Sequence, residues 1–261
     1  MKSKHERKSN KILLFFRIIS IVVIIACLVY IGYWYFENKR NANMKNLTQE
    51  AVVQTVYIDV TSTDIEGEEQ TVQIPVYELN FEKLFAVNNR TVGWLRVPNT
   101  TIDYPVAQAS DNAFYLNHSF DKSFNSAGWI FADYRNKFDG KDKNIIMYGH
   151  NRMDASMFAT LKNTQSADWY NNPTNKYITL TTPDTTHVYQ VFSVYTIKSE
   201  TYYLTTDFYD DDEYLKFLNE MKKRSIHDFG VKLSAEDSII TLSTCDATGK
   251  SRVILHAKKI M

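Results

Sequence analysis

Hydrophobic and polar positions divide the chain sharply. From Ile18 to Phe36 the sequence is uncharged and almost wholly apolar, about the ~20 residues that a membrane-spanning helix requires. Leu13–Phe16 extends the run backward across Arg17, whose charge would reach the interface along its own aliphatic stem. Tyr33, Trp34, Tyr35 and Phe36 close it as an aromatic belt. Residues 12–36 are therefore predicted to form one transmembrane helix. A polar segment follows, containing Asn38-Lys-Arg-Asn-Ala-Asn43, and residues 37–52 are read as a partly helical juxtamembrane stalk.

The pattern then changes period. Val52–Val60 and Thr71–Tyr77 are β-rich and flank the acidic stretch Asp64–Gln70. They are expected as a hairpin or as two extended arms, and residues 37–77 together form stalk and N-terminal extension. Phe81–Asn88 has helical spacing through Phe81, Leu84 and Phe85. Alternating or short apolar runs dominate from there, at Thr91–Pro98, Thr101–Gln108, Gly128–Asp133, Asn144–His150, Lys176–Thr182, His187–Lys198, Ser238–Thr244 and Arg252–Lys259. Turn residues such as Pro98-Asn99 and Pro183-Asp184 punctuate them. Asp111–Asn117 and Ser156–Leu161 read as short helical turns. Asp210–Ser225 is the clearest helix: Tyr214, Phe217, Leu218 and Met221 share a face, acids crowd its start and Lys222, Lys223 and Arg224 its end. The expected fold of residues 78–261 is mainly β, a closed antiparallel β-barrel with a few peripheral helices.

Charge sets an orientation. Lys2, Lys4, Arg7, Lys8 and Lys11 precede the span against Glu6 alone, and only Lys39, Arg40 and Lys45 follow it closely. The positive-inside rule makes residues 1–11 a cytoplasmic basic tail and places residues 37–261 outside. A cleaved signal peptide is the alternative, but the apolar run is too long and bulky aromatics occupy the cleavage region. The formal net charge is zero, so nothing global points to nucleic acid.

Of the two cysteines, Cys27 lies in the apolar run and Cys245 ends Thr241-Leu-Ser-Thr-Cys245, directly after Ile239-Ile240. A lone extracellular thiol at a strand end, with Arg252 seven positions on, suggests a nucleophile rather than a disulfide partner. Such a thiol needs a proton acceptor and a donor for the developing oxyanion. Among six histidines, His150 closes an apolar strand in Tyr148-Gly-His-Asn151 and is the first candidate. His118 is the second; for any one histidine a structural role is the competing reading. Arg252 could equally be a solvated charge opening a strand. The sequence has no cysteine pair and no His-x-x-x-His, so neither a metal nor another cofactor is expected.

Taken together, Thr241-Leu-Ser-Thr-Cys245, Arg252 and His150 resemble the signature of the sortases. Val92-Gly-Trp-Leu-Arg96, Ile102-Asp-Tyr-Pro-Val106, Tyr115-Leu-Asn117, Asp133-Tyr-Arg-Asn136, Asn144–Asn151 and Met157-Phe158 are similar to class B members. The resemblance covers roughly residues 78–260. It implies a sortase-type barrel as the catalytic domain at 78–261 and a membrane-anchored cysteine transpeptidase (a thiol protease) outside a Gram-positive cell. Cys245 would attack a Thr carbonyl in a C-terminal sorting signal, often of Asn-Pro-x-Thr type. His150 would protonate the leaving amine, and Arg252 would hold substrate and stabilise the intermediate. The thioester would pass to an amine of a peptidoglycan precursor or wall peptide. Leu116, Asn117 and Tyr148 would line the groove, Ser243 would share the face of Cys245, and Asp246 would lend a backbone N–H. The resemblance also implies N-terminal helices, whereas residues 52–77 read as β. Two readings compete: a transpeptidase that cross-links wall stems, whose Ser-His-Gly-Cys type motif is absent, and a tethered non-catalytic β domain that binds a wall or protein ligand.

Overall fold

The computed structural model describes residues 4–63, 67–198, 200–245 and 251–261, with backbone alone at 4–11 and at Cys245. Two compact units divide the chain, Met1–Asn43 and Met44–Met261. Helix α1, Lys4–Gln49, contains the apolar run. Its stretch from Ile12 onward is long and apolar enough to cross a membrane, and the helix continues through the segment read as stalk.

Strands β1 (Val52–Thr63) and β2 (Glu69–Leu79) pair antiparallel as a two-stranded sheet, with Val56 opposite Val76 and Val60 opposite Val72. The β-rich reading of this segment therefore holds, as a hairpin rather than separate arms and in place of the helices that the resemblance implied there. Alternation explains its seating: Val60, Ile74 and Val76 are buried in one cluster with Tyr177 and Val188, and intervening residues such as Tyr57, Asp59 and Gln73 face solvent. The Ser62 and Tyr177 hydroxyls meet at 2.6 Å. Helix α2 (Phe81–Val87) follows, its first turn capped by the Asn80 side chain accepting from the Lys83 N–H.

The remaining strands are β3 (Thr91–Arg96), β4 (Asp103–Gln108), β5 (Phe131–Ala132), β6 (Asn144–His150), β7 (Tyr177–Thr181), β8 (Thr186–Lys198), β9 (Ile239–Cys245) and β10 (Ser251–Lys259). They close a barrel in the order β10-β8-β7-β3-β4-β5-β6-β9. Its pairs are antiparallel except β4–β5 and β6–β9, which are parallel. Side-chain alternation reports which face of a strand is buried but not which way its neighbour runs, so the sequence pattern could not distinguish these two junctions. The strand expected over Gly128–Asp133 shrinks to two residues. Gly128 has φ of 61°, and the Trp129 N–H donates to the Tyr115 carbonyl in a loop instead of a ladder.

Trp94, Tyr104, Phe120, Trp129, Phe131 and Phe192 are fully buried. Such aromatic volume supplies a core without disulfides. Helix α3 (Ala167–Tyr170) is a single turn, and α4 (Asp211–Lys223) buries Tyr214, Leu218 and Met221 as its spacing predicted. The Asp210 carboxylate caps α4 by accepting from the Glu213 N–H at 2.8 Å.

Candidate active site

The parallel pairing of β6 with β9 sets His150 directly opposite Cys245, Tyr148 opposite Ser243 and Ile146 opposite Thr241. Partners in register project to the same side of a sheet. On the other flank β10 pairs with β9 antiparallel, with Ile254 opposite Ser243 and His256 opposite Thr241. Carried two residues further, that register sets Arg252 beside Cys245. The Val253 N–H, which donates to the Thr244 hydroxyl at 2.9 Å, keeps the two strands aligned at this end. His150, Cys245 and Arg252 thus form one row across three adjacent strands, cysteine central. With strands about 4.8 Å apart, the outer two backbones are about 10 Å from each other, within reach of one another's side chains.

Each outer side chain has a fixed partner. The half-buried His150 ring places Nε2 2.7 Å from the Leu116 carbonyl oxygen. Arg252, also half-buried, donates from Nη1 to the Tyr203 hydroxyl at 3.4 Å. Tyr203 is fully buried, and its hydroxyl lies 3.0 Å from Ser243 Oγ. The guanidinium is therefore tied through one phenol to the strand that carries the cysteine.

Beneath this row the barrel wall is polar but satisfied. Tyr148 donates to Asp133 Oδ2 at 2.8 Å. Asp133 is fully buried and also accepts from Asn112 and from the Arg135 guanidinium and N–H. Burial alone would raise its carboxyl, but Arg135, Tyr148 and Asn112 hold it below the usual carboxylate range. Burial and that carboxylate push the Tyr148 phenol well up. One layer further down, Thr241 donates to Asn144 Oδ1 at 2.7 Å and meets His256 Nδ1 at 2.9 Å. The Tyr195 hydroxyl lies 3.0 Å from His256 Nε2. His256 is fully buried, and burial lowers its pKa to about 3; it is a neutral structural imidazole.

The structure thus sorts the residues singled out from sequence. Leu116 joins the row through its main-chain carbonyl. Asn117 is exposed beside it. Tyr148 and Ser243 are buried under the row with their hydroxyls engaged, so they support it from below instead of lining an open groove. Asp246 lies outside the described residues, as does the thiol of Cys245. His118 is committed elsewhere, with Nδ1 2.8 Å from the Phe114 carbonyl and its ring stacked on Phe114 at 4.0 Å. Sequence reasoning did not find Tyr203, Gly128 or the role of Asp133. Asp133 stood in a recognised segment; Tyr203 sits in a short 3-10 turn, Tyr202–Leu204, with no periodicity to mark it. Among the described residues no cluster of three metal-ligating side chains occurs.

A family profile described as Sortase domain matches residues 95–260. The chain is 35% identical over 234 residues to Sortase B of Listeria monocytogenes, covering 88% of this chain and 89% of that one. This chain belongs to the sortase family. Its barrel superposes on a crystal structure from Bacillus anthracis described as similar to sortase B, with a TM-score of 0.69 and 32% identity, covering 87% of this chain and 97% of that one. A Staphylococcus aureus sortase B–substrate complex matches with a TM-score of 0.65 and 36% identity, over 69% and 84% of the two chains. The chain is a class B sortase, a cysteine transpeptidase, and its N-terminal apolar helix suits a membrane-anchored enzyme. Sortases act on sorting-signal substrates and wall peptides.

Proposed function

We propose that Cys245 is the nucleophile of this sortase, His150 its general acid and base, and Arg252 its oxyanion donor. The observation that supports this reading is the strand register: His150 pairs with Cys245 between β6 and β9, and the β9–β10 register, carried on by two residues from Ile254 and Ser243, brings Arg252 alongside. The Cys245 sulfur, as thiolate, adds to the carbonyl carbon of the Thr in a C-terminal sorting signal. Negative charge develops on the carbonyl oxygen, where the Arg252 guanidinium donates hydrogen bonds. Collapse breaks the C–N bond, and the His150 imidazolium gives its proton to the leaving amine. A thioester remains. An amine of a wall peptide then attacks the same carbon, His150 accepts its proton, and the thiolate leaves as the new amide forms. Where water takes the amine's place, the same steps make the enzyme an endopeptidase.

The basic N-terminal tail orients the anchor with residues 37–261 outside the cell. Precursor and wall acceptor share that surface, and tethering raises the effective concentration of each at the row. The substrates are secreted proteins bearing a signal of Asn-Pro-x-Thr type; a sortase B from Staphylococcus aureus has been solved with substrate.

The test uses the full chain in detergent micelles, a fluorogenic sorting-signal peptide and a triglycine acceptor, with products read by mass spectrometry. Cys245→Ala is expected to abolish both cleavage and transfer. His150→Ala and Arg252→Ala are each expected to lower kcat/KM by roughly 100-fold or more. Turnover of Cys245→Ala at the parental rate would reject the assignment.

A further inference from the structure

The loop around Leu116 is built to aim one main-chain carbonyl. The Trp129 N–H donates to the Tyr115 carbonyl at 2.9 Å, and the Asn125 N–H donates to the Asn117 carbonyl at 2.9 Å. These two bonds clamp residues 115–117 to residues 125–129 on either side of Leu116. Between them the Leu116 carbonyl points at His150 Nε2, 2.7 Å away. Phe114–Leu116 is a single 3-10 turn, and the last carbonyls of such a turn have no partner within it. With the Tyr115 and Asn117 carbonyls each taken by the facing loop, the Leu116 oxygen faces the ring.

Gly128 completes the arrangement. It lies across from the carbonyl at φ of 61°. A Cβ there would stand 2.5 Å from the Tyr115 oxygen, 2.8 Å from the Leu116 oxygen and 3.0 Å from His150 Cδ2. No side chain fits without moving the carbonyl or the ring. The missing Cβ is thus the space in which ring and carbonyl meet.

A carbonyl oxygen only accepts hydrogen bonds, so the nitrogen it faces must carry the proton. We infer that the Leu116 carbonyl, held in place by Gly128, locks His150 in the tautomer protonated on Nε2 and reserves Nδ1 for the proton exchanged during catalysis. Gly128 is a positioning residue. It acts through Leu116 and the ring. Without the carbonyl, a neutral ring would divide between two tautomers and two orientations, and one of each would present the wrong nitrogen. This inference rests on the assignment of His150 as general acid and base.

Gly128→Ala is compared with Gly140→Ala in the full chain. Gly140 also has a positive φ, 81°, but an added Cβ meets nothing within 4 Å. It therefore controls for backbone strain alone. Gly128→Ala is expected to lower kcat by roughly 10–100-fold with KM within about threefold, the scale of a displaced catalytic group. Gly140→Ala is expected to keep the parental kcat. The second measurement is 15N NMR of histidine-labelled Cys245→Ala protein in micelles, at a pH where the rings are neutral, with the His150 signals assigned by His150→Gln. A protonated Nε2 and bare Nδ1 is the expected pattern, with mixed tautomers when Gly128→Ala is added. Protonation on Nδ1 in the unsubstituted ring environment overturns the inference, as does parental kcat in a folded Gly128→Ala. If Gly128→Ala does not fold, the 15N pattern of the glycine protein decides. Parental turnover of His150→Ala would defeat the underlying assignment instead, which separates the two failures.

Discussion

Replacing Asp133 by asparagine tests the buried network beneath the row of His150, Cys245 and Arg252. Five donors converge on this carboxylate. The Arg135 N–H and Nε reach Oδ1 at 3.0 and 2.8 Å, and Arg135 Nη2, Tyr148 Oη and Asn112 Nδ2 reach Oδ2 at 2.7, 2.8 and 2.9 Å. An amide has the same shape, but its NH2 group, in either orientation, faces at least two donors and accepts from none. The Arg135 charge also loses its counterion. Asp133 is fully buried, whereas the Arg135 side chain keeps 35% of its exposure, so water screens part of the loss. The expected destabilisation is about 2–4 kcal/mol. For a domain of this size that is a fall in Tm of roughly 5–15 °C. The assay is urea unfolding followed by tryptophan fluorescence, repeated across pH. Asp133 titrates below its unfolded value of about 3.9. Its contribution is therefore complete above that pH and fades as pH falls through the lower, folded value. The gap between parent and Asp133→Asn should be constant from about pH 7 to 5 and begin to close below about pH 4. A loss under about 0.5 kcal/mol at neutral pH, on the scale of an ordinary surface change, would refute the reasoning.

Two further outcomes follow from the barrel. A Cβ on Gly149 would lie 2.7 Å from the ring of the fully buried Phe158, so Gly149→Ala should destabilise by about 1–3 kcal/mol through overpacking; equal urea midpoints for parent and variant would contradict that packing. His256 is buried neutral with a pKa lowered to about 3, so the unfolded chain binds its proton first. Stability should be full above about pH 6.5 and decline by about 1.4 kcal/mol per pH unit below it. His256→Gln, which cannot titrate, should show a shallower slope between about pH 6 and 4 than the parent, and parallel slopes would count against the buried neutral ring.

The apolar run to Phe36, the alternation in β1 and β2, the spaced face of α4 and the Thr241–Cys245 strand are all local statements, written in hydropathy, charge and turn chemistry. They were legible because each depends on neighbours within a few positions. The single thiol, with His150 and Arg252 at strand ends, was legible for the same reason, and the family resemblance rested on those residues. Three other features were not. The parallel junction of β6 with β9 joins segments some ninety residues apart, and alternation is blind to strand direction. Tyr203 reaches Arg252 and Ser243 from a turn without periodicity. Leu116 serves His150 through a carbonyl that every residue possesses, so no side chain could announce it. Composition and period thus dictate which segments become helix or strand and which face is buried, because those choices balance local burial against solvation. Register, and with it the alignment of His150, Cys245 and Arg252 on neighbouring strands, arises only when distant strands close the barrel, because hydrogen-bond pairing between main chains sets the row.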